Sequence, residues 1–286
     1  MKDVRLSIIT VCYNAENKIE KTIFSVLEQI WTNFEYVIVD GQSTDRTLEL
    51  IYRHKGDFTD RGISCRIISE RDRGIYDAMN KGADLALGNW IIYLNAGDIF
   101  FNSDVLLRVS KWFDKNVDVL YGDTIEINKN KWRVSCGKGI DEITSGMIFC
   151  HQSAFIKKKI MIENLYQEEF KICADYNFFL KIFLAGAIYK KLDFIISVFE
   201  LDGISSQNGF GVRRENVNIL FHNKIITTHR KNYCLLRISV EEKLKRLLPR
   251  GLFDLKKKIA QRTWIDIREY ELLKKEVLKK GFNETF

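Results

Sequence analysis

The chain has 286 residues, of which 46% are hydrophobic and 29% are charged, and this composition is typical of a globular protein with a sizeable core. No apolar run approaches the roughly 18 residues that a membrane-spanning helix requires. The N-terminal residues lack the layout of a signal peptide, and the six cysteines have no CxxC spacing. We therefore expect a cytoplasmic protein with reduced thiols and without a structural zinc site.

The net charge of +7 is unevenly distributed along the chain. Residues 222–286 contain 17 Lys and Arg against 8 Asp and Glu, whereas residues 1–221 contain 28 against 30. A near-neutral body followed by a basic tail suggests that the two parts have separate tasks. The alternative is that the tail is an ordinary solvated helical surface.

Strand and helix patterns alternate over residues 1–125. The apolar run 6–13 indicates a strand buried on both faces, and a helix over 14–29 follows it with Asn14 as its cap. A helix with a Ser or Thr cap is predicted to start within 43–54, and another spans 74–87. Further strands are predicted at 34–40, 65–70, 89–98 and 117–124. Short links between these elements predict an α/β fold with a parallel, doubly wound sheet.

The pattern is looser after residue 125. It predicts a hairpin over 125–134, a helix over 174–186 that ends at a glycine, and a strand over 187–199. Beyond residue 215 the chain is predicted to be helical and basic, with Pro249 between two helical pieces. We therefore predict a domain over 1–215, with halves 1–125 and 126–215, and a separate basic helical tail over 216–286.

Carboxylates follow four successive predicted strands, at Asp40, Asp72, Asp98 and Asp123. The carboxyl ends of parallel strands meet at one edge of a sheet, where ligands of such proteins bind. Each carboxylate alone could be a turn or cap residue, but together they would repel unless a cation joined them. A divalent metal bound to a phosphorylated ligand would satisfy this edge. The sequence lacks the P-loop motif GxxxxGK[ST], and the dinucleotide-binding motif GxGxxG does not follow the first strand. We therefore expect neither an ordinary P-loop nor a dinucleotide site.

Five motifs carry a family resemblance. In chain order they are "SIITVCYNAE", "YVIVDGQSTDRT", "SERDRGIYDAMNKG", "GNWIIYLNAGD" and "CADYNFFLKI". They resemble the ordered motifs of inverting family 2 glycosyltransferases with the GT-A fold, such as the bacterial enzymes that build O-antigen, capsule and exopolysaccharide. The resemblance covers residues 5 to about 210. It implies a GT-A fold with a mostly parallel central sheet. The C-terminal basic helical extension that the sequence pattern predicts lies outside the resemblance.

The resemblance implies a nucleotide pocket at three strand ends. Its residues would be Thr10, Tyr13, Asn14, Asp40, Ser43, Arg71 and Asp72. Tyr13 would stack on the base and Asp40 would accept a hydrogen bond from its imide, which suits uracil. UDP is therefore the first expectation, and GDP and dTDP are the open alternatives. The alternatives are that Tyr13 is a core aromatic and that Asp40 is a turn residue.

The stretch "YLNAGDIF" departs from the family's DxD-type metal motif, because Asn95, Ala96 and Gly97 precede a single carboxylate. The resemblance implies that Asp98 binds Mg²⁺ or Mn²⁺ and that Asn95 contributes its amide oxygen. The other ligands would be diphosphate oxygens and water, so the site would be weak. A plain turn is the alternative.

An inverting transfer needs a base that takes the proton of the acceptor hydroxyl. The resemblance implies Asp175 in "CADY", although Ala174 replaces the family's usual Glu. The alternative role for Asp175 is the N-cap of a helix over 176–185. His151 and Gln152 would border the donor sugar or the acceptor, although a lone histidine is more often structural.

The partners implied are a nucleotide-diphospho-sugar and a glycan acceptor, such as a sugar linked to undecaprenyl diphosphate. Apolar residues of the tail lie among Lys and Arg, which suits a helix on an anionic membrane surface: Leu244, Leu247, Leu248, Leu252, Leu255 and Ile259. The alternative is a helix packed on its own domain or in a homodimer. No motif accompanies the basic residues that would indicate nucleic-acid binding.

Two other functions compete with the transferase. A nucleotidyltransferase would need a Gly-rich basic loop after the first strand, where this chain has "CYNAENK". A non-catalytic sugar-nucleotide binder docked at the membrane is compatible with the reduced metal motif and with Ala174. The segment 202–209, rich in Gly and Ser, could be a flap over the donor or a surface loop.

Overall fold

A computed structural model describes residues 4–129, 131–201, 208–247 and 265–266. The expected flap at 202–207, the break at Pro249 and most of the expected basic tail lie outside these described residues. The side chain of Leu244 is described, but those of the other five apolar tail residues named above are not.

Strands and helices alternate through the described residues. The strands are β1 Leu6–Cys12, β2 Phe34–Asp40, β3 Cys65–Ser69, β4 Trp90–Tyr93, β5 Ile99–Phe100, β6 Val119–Asn128, β7 Lys131–Ser135, β8 Ala154–Lys157, β9 Tyr189–Glu200 and β10 Ile265–Asp266. The α-helices are α1 Ile19–Leu27, α2 Thr47–Arg53, α3 Lys55–Asp60, α4 Ile75–Leu85, α5 Val105–Ser110, α6 Lys158–Glu163, α7 Ala174–Leu184, α8 Gly209–His222 and α9 Thr228–Leu247.

The central sheet has the order β10-β7-β6-β8-β4-β1-β2-β3. Strands β4, β1, β2 and β3 pair in parallel, and β9 pairs in parallel with β6. Because β8 is antiparallel to both β4 and β6, strand β6 points in the same direction as β4. The predicted α/β fold with a mostly parallel sheet is therefore confirmed, and the ends of β2 and β4 lie at the same edge, whereas Asp123 lies within β6 rather than at its end.

Apolar layers cover both faces of this sheet. Ile8 packs in the layer that contains α1, α2 and α5, whereas Ile9 packs in the opposite layer with α4 and α7. Burial of each such side chain contributes roughly 1.5–3 kcal/mol relative to exposure. A Cβ on Gly82 would lie 2.5 Å from Cγ2 of Ile9, so the glycine lets α4 lie against β1.

Two predicted helix starts were wrong. Helix α1 begins at Ile19 rather than at the residue after Asn14, and no side chain caps it. Asn14 instead adopts φ +48° and its Oδ1 accepts a hydrogen bond from the backbone N–H of Thr44 at 2.9 Å. Helix α2 begins at Thr47, whose N–H donates to Asp45 at 3.0 Å, so neither Ser43 nor Thr44 is its cap.

The second half of the chain follows its predicted pattern more closely. Strands β6 and β7 form the expected hairpin, and α7 is followed by Gly186 at φ +90°. A division of the chain at residue 215 would cut α8, and β10 is a short strand inside the tail that was expected to be helical. In the described part of the chain, no helix combines the length and apolar character needed to cross a membrane.

Candidate active site

Two side chains meet above Gly41, at the end of β2. A Cβ on Gly41 would lie 2.4 Å from Oδ2 of Asp72 and 3.4 Å from Cδ2 of Tyr13. The Asp72 carboxylate thus occupies the space that a side chain at position 41 would fill. The ring of Tyr13 is 62% exposed, which excludes the core-aromatic alternative. Oδ1 of Asp72 accepts from the N–H of Gly74 at 3.0 Å, and no donor among the described residues bonds to Oδ2. Tyr13, Gly41 and Asp72 thus form a rim that presents an aromatic face beside Oδ2 of Asp72, an acceptor without a donor among the described residues.

Asp40, which was predicted to contact the base, is the last residue of β2 and is fully buried. Its Oδ2 accepts from the backbone N–H of Ser43 at 3.1 Å and from the hydroxyl of Ser69 at 2.6 Å. The hydroxyl of Ser43 donates to Asp40 Oδ1 and accepts from the N–H of Asn14 at 2.8 Å. Both side chains are therefore engaged in hydrogen bonds that hold the loop after β2, which is the arrangement that the turn alternative for Asp40 describes.

Thr10 was also predicted to contact the nucleotide, but it is fully buried in β1. Its hydroxyl donates to the carbonyl of Leu94 at 2.7 Å and accepts from Tyr36 at 2.9 Å. The exposed Arg71 lies beside Asp72 in the chain, and its carbonyl accepts from Lys81 at 2.9 Å. Of the predicted nucleotide pocket, the Tyr13, Arg71 and Asp72 side chains remain open to a ligand.

A tight turn follows β4 and contains the predicted metal ligands. The N–H of Asp98 donates to the carbonyl of Asn95 at 2.9 Å. The hydroxyl of Thr22 donates to the carbonyl of Asp98 and accepts from the N–H of Gly97, each at 2.8 Å. Gly97 adopts φ +106°, a backbone conformation that favours glycine, and a Cβ there would lie 3.3 Å from Cδ of the flexible Lys18 side chain.

Two oxygens of this turn favour a cation. Oδ1 of Asn95 is buried and has no hydrogen-bond partner among the described residues. Asp98 is 8% exposed, and burial raises the pKa of its carboxyl to about 7 against the opposing effects of His151, Gln152 and Lys21. Desolvated oxygens of this kind gain free energy from a divalent metal. No group of three His, Cys, Asp or Glu in the described ranges could hold a metal, so ligand oxygens would have to complete the shell.

His151 connects the turn to the predicted base. Its Nδ1 lies 3.2 Å from Oδ2 of Asp175, and its Nε2 lies 3.3 Å from Nδ2 of Asn95. Because an amide nitrogen can only donate, this orientation makes Nε2 the acceptor and assigns the proton of a neutral ring to Nδ1. Gln152 hydrogen-bonds Asp98. The four predicted residues Asn95, His151, Gln152 and Asp175 therefore belong to one cluster.

Asp175 is the second residue of α7, so it is not the N-cap, which is Cys173. The hydroxyl of Tyr76 lies within hydrogen-bond distance of Oδ1 of Asp175, at 3.1 Å, and of the carbonyl of Ile172, at 2.8 Å. Burial alone would raise the pKa of Asp175, but the hydrogen bonds from His151 and Tyr76 hold it below its usual value. The carboxylate is thus ionised at neutral pH and can accept a proton. Tyr76 lies in the noted motif "GIYDAMNKG", yet the sequence reasoning assigned it no role.

A cavity of about 450 Å³ opens at the other end of β4, where Asn89 and Trp90 meet Lys157 and Lys158. It lies at the opposite edge of the sheet from Asp98 and Asp175, because Trp90 is the first residue of β4 and Asn95 follows its end. We assign this cavity no part in the candidate site.

Comparisons with known proteins identify the family of this chain. Residues 7–183 match the sequence profile of "Glycosyl transferase family 2". The chain is 30% identical over 208 residues to a "PGL/p-HBAD biosynthesis glycosyltransferase" of Mycobacterium bovis (strain BCG / Pasteur 1173P2), covering 72% of this chain and 77% of the relative. It is 32% identical over 130 residues to the "UDP-Glc:alpha-D-GlcNAc-diphosphoundecaprenol beta-1,3-glucosyltransferase WfgD" of Escherichia coli, covering 46% and 49%.

Solved structures share the fold at low identity. The mannosyltransferase PcManGT from Pyrobaculum calidifontis, in complex with GDP-Man and Mn²⁺, has a TM-score of 0.63 at 16% identity, covering 90% of this chain and 80% of that one. S. aureus TarS 1-349 in complex with UDP-GlcNAc has a TM-score of 0.58 at 18% identity, covering 82% and 71%. At such identities the likeness shows the fold alone.

Proposed function

The chain belongs to glycosyl transferase family 2 and is an enzyme of that class, and on this premise we propose that it transfers a sugar with inversion from a UDP-sugar to a lipid-linked glycan. The observation that carries the proposal is that His151 connects the partly buried Asp175 to the turn that contains the buried Asp98, and these two carboxylates have opposite pKa shifts. Asp175 is held ionised by His151 and Tyr76, whereas burial raises the pKa of Asp98 to about 7. A metal-assisted transfer requires a base and a cation-binding site close to each other, and this cluster offers Asp175 and Asp98 for these two roles.

Asp175 acts as the base in this proposal. The acceptor hydroxyl attacks the anomeric carbon from the face opposite the departing diphosphate, and its proton moves to Asp175. His151 keeps the carboxylate oriented through its Nδ1 contact at 3.2 Å. Such a base typically contributes 10²–10⁴-fold to the rate.

Tyr13 and Asp72 bind the nucleotide. The exposed ring of Tyr13 stacks on the base, and the unused Oδ2 of Asp72 accepts the imide N–H that uracil presents. The E. coli relative is named for UDP-Glc, and S. aureus TarS was solved with UDP-GlcNAc, which favours UDP. The Pyrobaculum structure contains GDP-Man, so the fold by itself does not select the nucleotide.

Asp98 and the amide oxygen of Asn95 are the residues that would hold Mg²⁺ or Mn²⁺. The bound ion would neutralise charge on the departing diphosphate. The orphaned Oδ1 of Asn95 supports this assignment, and the ion would also stabilise ionised Asp98. Two protein oxygens make a weak site, so binding of ion and donor should be mutually dependent.

The lipid-linked acceptor is proposed by analogy with the E. coli relative, whose name gives a diphosphoundecaprenol substrate.

Helix α9 offers a surface for the membrane that carries such a lipid. An exposed apolar stripe runs along it at spacings of three and four residues: Tyr233, Leu236, Val240 and Leu244. Arg230 and Lys243 flank the stripe, which suits an anionic leaflet.

Leu236→Glu should reduce co-sedimentation with phosphatidylglycerol vesicles and leave turnover of a short soluble acceptor unchanged. If L236E binds these vesicles as the wild type does, the docking proposal is wrong.

The transferase proposal is tested by donor binding and turnover of purified protein with UDP-, GDP- and dTDP-sugars in Mn²⁺, Mg²⁺ or EDTA. We expect metal-dependent binding and slow hydrolysis of a UDP-sugar. Asp175→Asn should bind this donor with wild-type affinity and lose turnover by about 10²–10⁴-fold. Asp98→Ala should lose metal-dependent binding.

Asp114→Asn is the matched control, because Asp114 is an exposed carboxylate paired with Arg5 and away from the cluster. Wild-type turnover in Asp175→Asn would refute the base assignment. Donor binding by the wild type without any hydrolysis or transfer would favour the alternative of a non-catalytic binder. Failure to bind any of the donors would refute the nucleotide site itself.

A further inference from the structure

Glu215 lies in α8, outside the region that matches the family profile, yet its carboxylate reaches the segment that leads into Asp175. It accepts hydrogen bonds from three consecutive backbone N–H groups. These are Lys171 at 2.9 Å to Oε1, and Ile172 at 2.9 Å and Cys173 at 2.8 Å to Oε2.

Three successive N–H groups around one carboxylate form an anion cradle of the kind that backbone nests provide. The cradle ends at Cys173, the N-cap of α7, where no side chain of the helix itself caps the free N–H groups. A negative charge at this end is also favoured by the helix dipole. Glu215 therefore fixes from α8 the backbone that leads into α7, including the N–H of the N-cap residue Cys173.

The same segment is held from the opposite side by α4. The hydroxyl of Tyr76 contacts the carbonyl of Ile172 at 2.8 Å, while Glu215 binds the N–H of that residue. Asp175 follows three residues later in the chain. Its backbone is thus fixed between two helices that are distant in sequence.

We propose that Glu215 is a positioning residue that sets the orientation of Asp175 for proton transfer. This inference rests on the proposed function, in which Asp175 is the base. Loss of the cradle would let residues 171–173 relax and move Asp175 relative to the acceptor hydroxyl. A displacement of about 1 Å at a reacting group can cost on the order of 10²-fold in rate. Among the described residues, no hydrogen bond joins Tyr13 or Asp72 to residues 171–173, so donor affinity should not change.

The variant Glu215→Gln keeps the size of the side chain but replaces one acceptor oxygen with a donor group that opposes an N–H. We expect its kcat to fall by about 10- to 100-fold with the donor KM and donor Kd within two-fold of wild type. Hydrogen exchange of the amides of residues 171–173 should accelerate. Glu215→Asp, which keeps the charge, should recover part of the loss. On the Asp175→Asn background, Glu215→Gln should cause no further loss of turnover.

Glu241→Gln is the matched control. Glu241 of α9 pairs with Arg213 across the α8–α9 contact and with Arg237 within α9, and it has no hydrogen bond to the described segment before α7. If Glu215→Gln keeps wild-type kcat while Asp175→Asn is inactive, the positioning inference is wrong and the proposed function stands. If Asp175→Asn itself keeps wild-type turnover, the proposed function fails, and the exchange measurement alone still reports whether Glu215 orders residues 171–173. If Glu215→Gln does not fold, Glu215→Asp takes its place, and wild-type kcat and exchange in that variant would overturn the inference.

Discussion

Gly41→Ala is the substitution that most directly tests the nucleotide rim. Gly41 is outside the left-handed region, so alanine fits its backbone. The new methyl group would lie 2.4 Å from Oδ2 and 3.3 Å from Cγ of Asp72. Because the carboxylate is at the end of a flexible side chain, it can move away, and the fold should tolerate the change.

The size of the effect follows from these distances. Ordinary contact begins at 3.4 Å, so the carboxylate must recede by about 1 Å from the place where it would meet the base. A hydrogen bond to a charged acceptor is worth about 1.5–3 kcal/mol. Its loss corresponds to a donor affinity about 10- to 150-fold weaker.

Isothermal titration of UDP and of the UDP-sugar would measure this loss, and a thermal melt would measure stability. Gly56→Ala is the matched control, since a Cβ there meets nothing within 4 Å. We expect wild-type affinity in the control and a normal melting temperature in both variants. Wild-type UDP affinity in Gly41→Ala would refute the assignment of Asp72 as the base acceptor.

Three further predictions concern the fold and the base. Gly88→Ala places a Cβ 2.5 Å from backbone atoms of β1, which cannot move aside, so thermal unfolding should reveal a loss of at least ~2 kcal/mol that Gly56→Ala does not show. Burial opposes protonation of His54, but the hydrogen bonds that its ring donates to Glu20 and Asp57 raise its pKa above 6.5. The stability that it contributes is fully present below pH 6.5 and lost as the pH rises through the raised value, so the melting temperatures of wild type and His54→Asn should converge above that pH. Convergence on acidification instead would contradict this. Tyr76→Phe removes a hydrogen bond that lowers the pKa of the base, so the acidic limb of the kcat–pH profile should move to higher pH, and an unmoved limb would contradict the contact.

The sequence predicted the parts of this protein that depend on local patterns. The apolar runs of β1 and β2 identified buried strands, and the motif "YLNAGD" marked the turn that holds Asn95 and Asp98. The caps were predicted wrongly, because Asn14 is engaged by Thr44, thirty positions further along the chain. The prediction of helix caps uses only residues that are neighbours in sequence, so it could not identify Thr44 as the partner of Asn14.

The choice among the rim carboxylates was made by tertiary contacts. In the sequence, Asp40 and Asp72 are the same residue type at a predicted strand end. In the structure, Ser69 of the neighbouring strand β3 donates a hydrogen bond to the carboxylate of Asp40. Asp72 keeps a free oxygen because Gly41 leaves space for it.

The chain by itself determined the α/β alternation, because hydrophobic period is a property of short segments. The candidate base, Asp175, was indicated by the resemblance of the ordered motifs to a known family. Only the tertiary structure decided which polar groups remain unsatisfied and which are already bonded. Tyr76, His151 and Glu215 converge on one short segment from three separate elements of the chain. Hydrogen bonds between groups far apart in sequence form only when packing brings the elements together, and those bonds set the charge state and the orientation of Asp175.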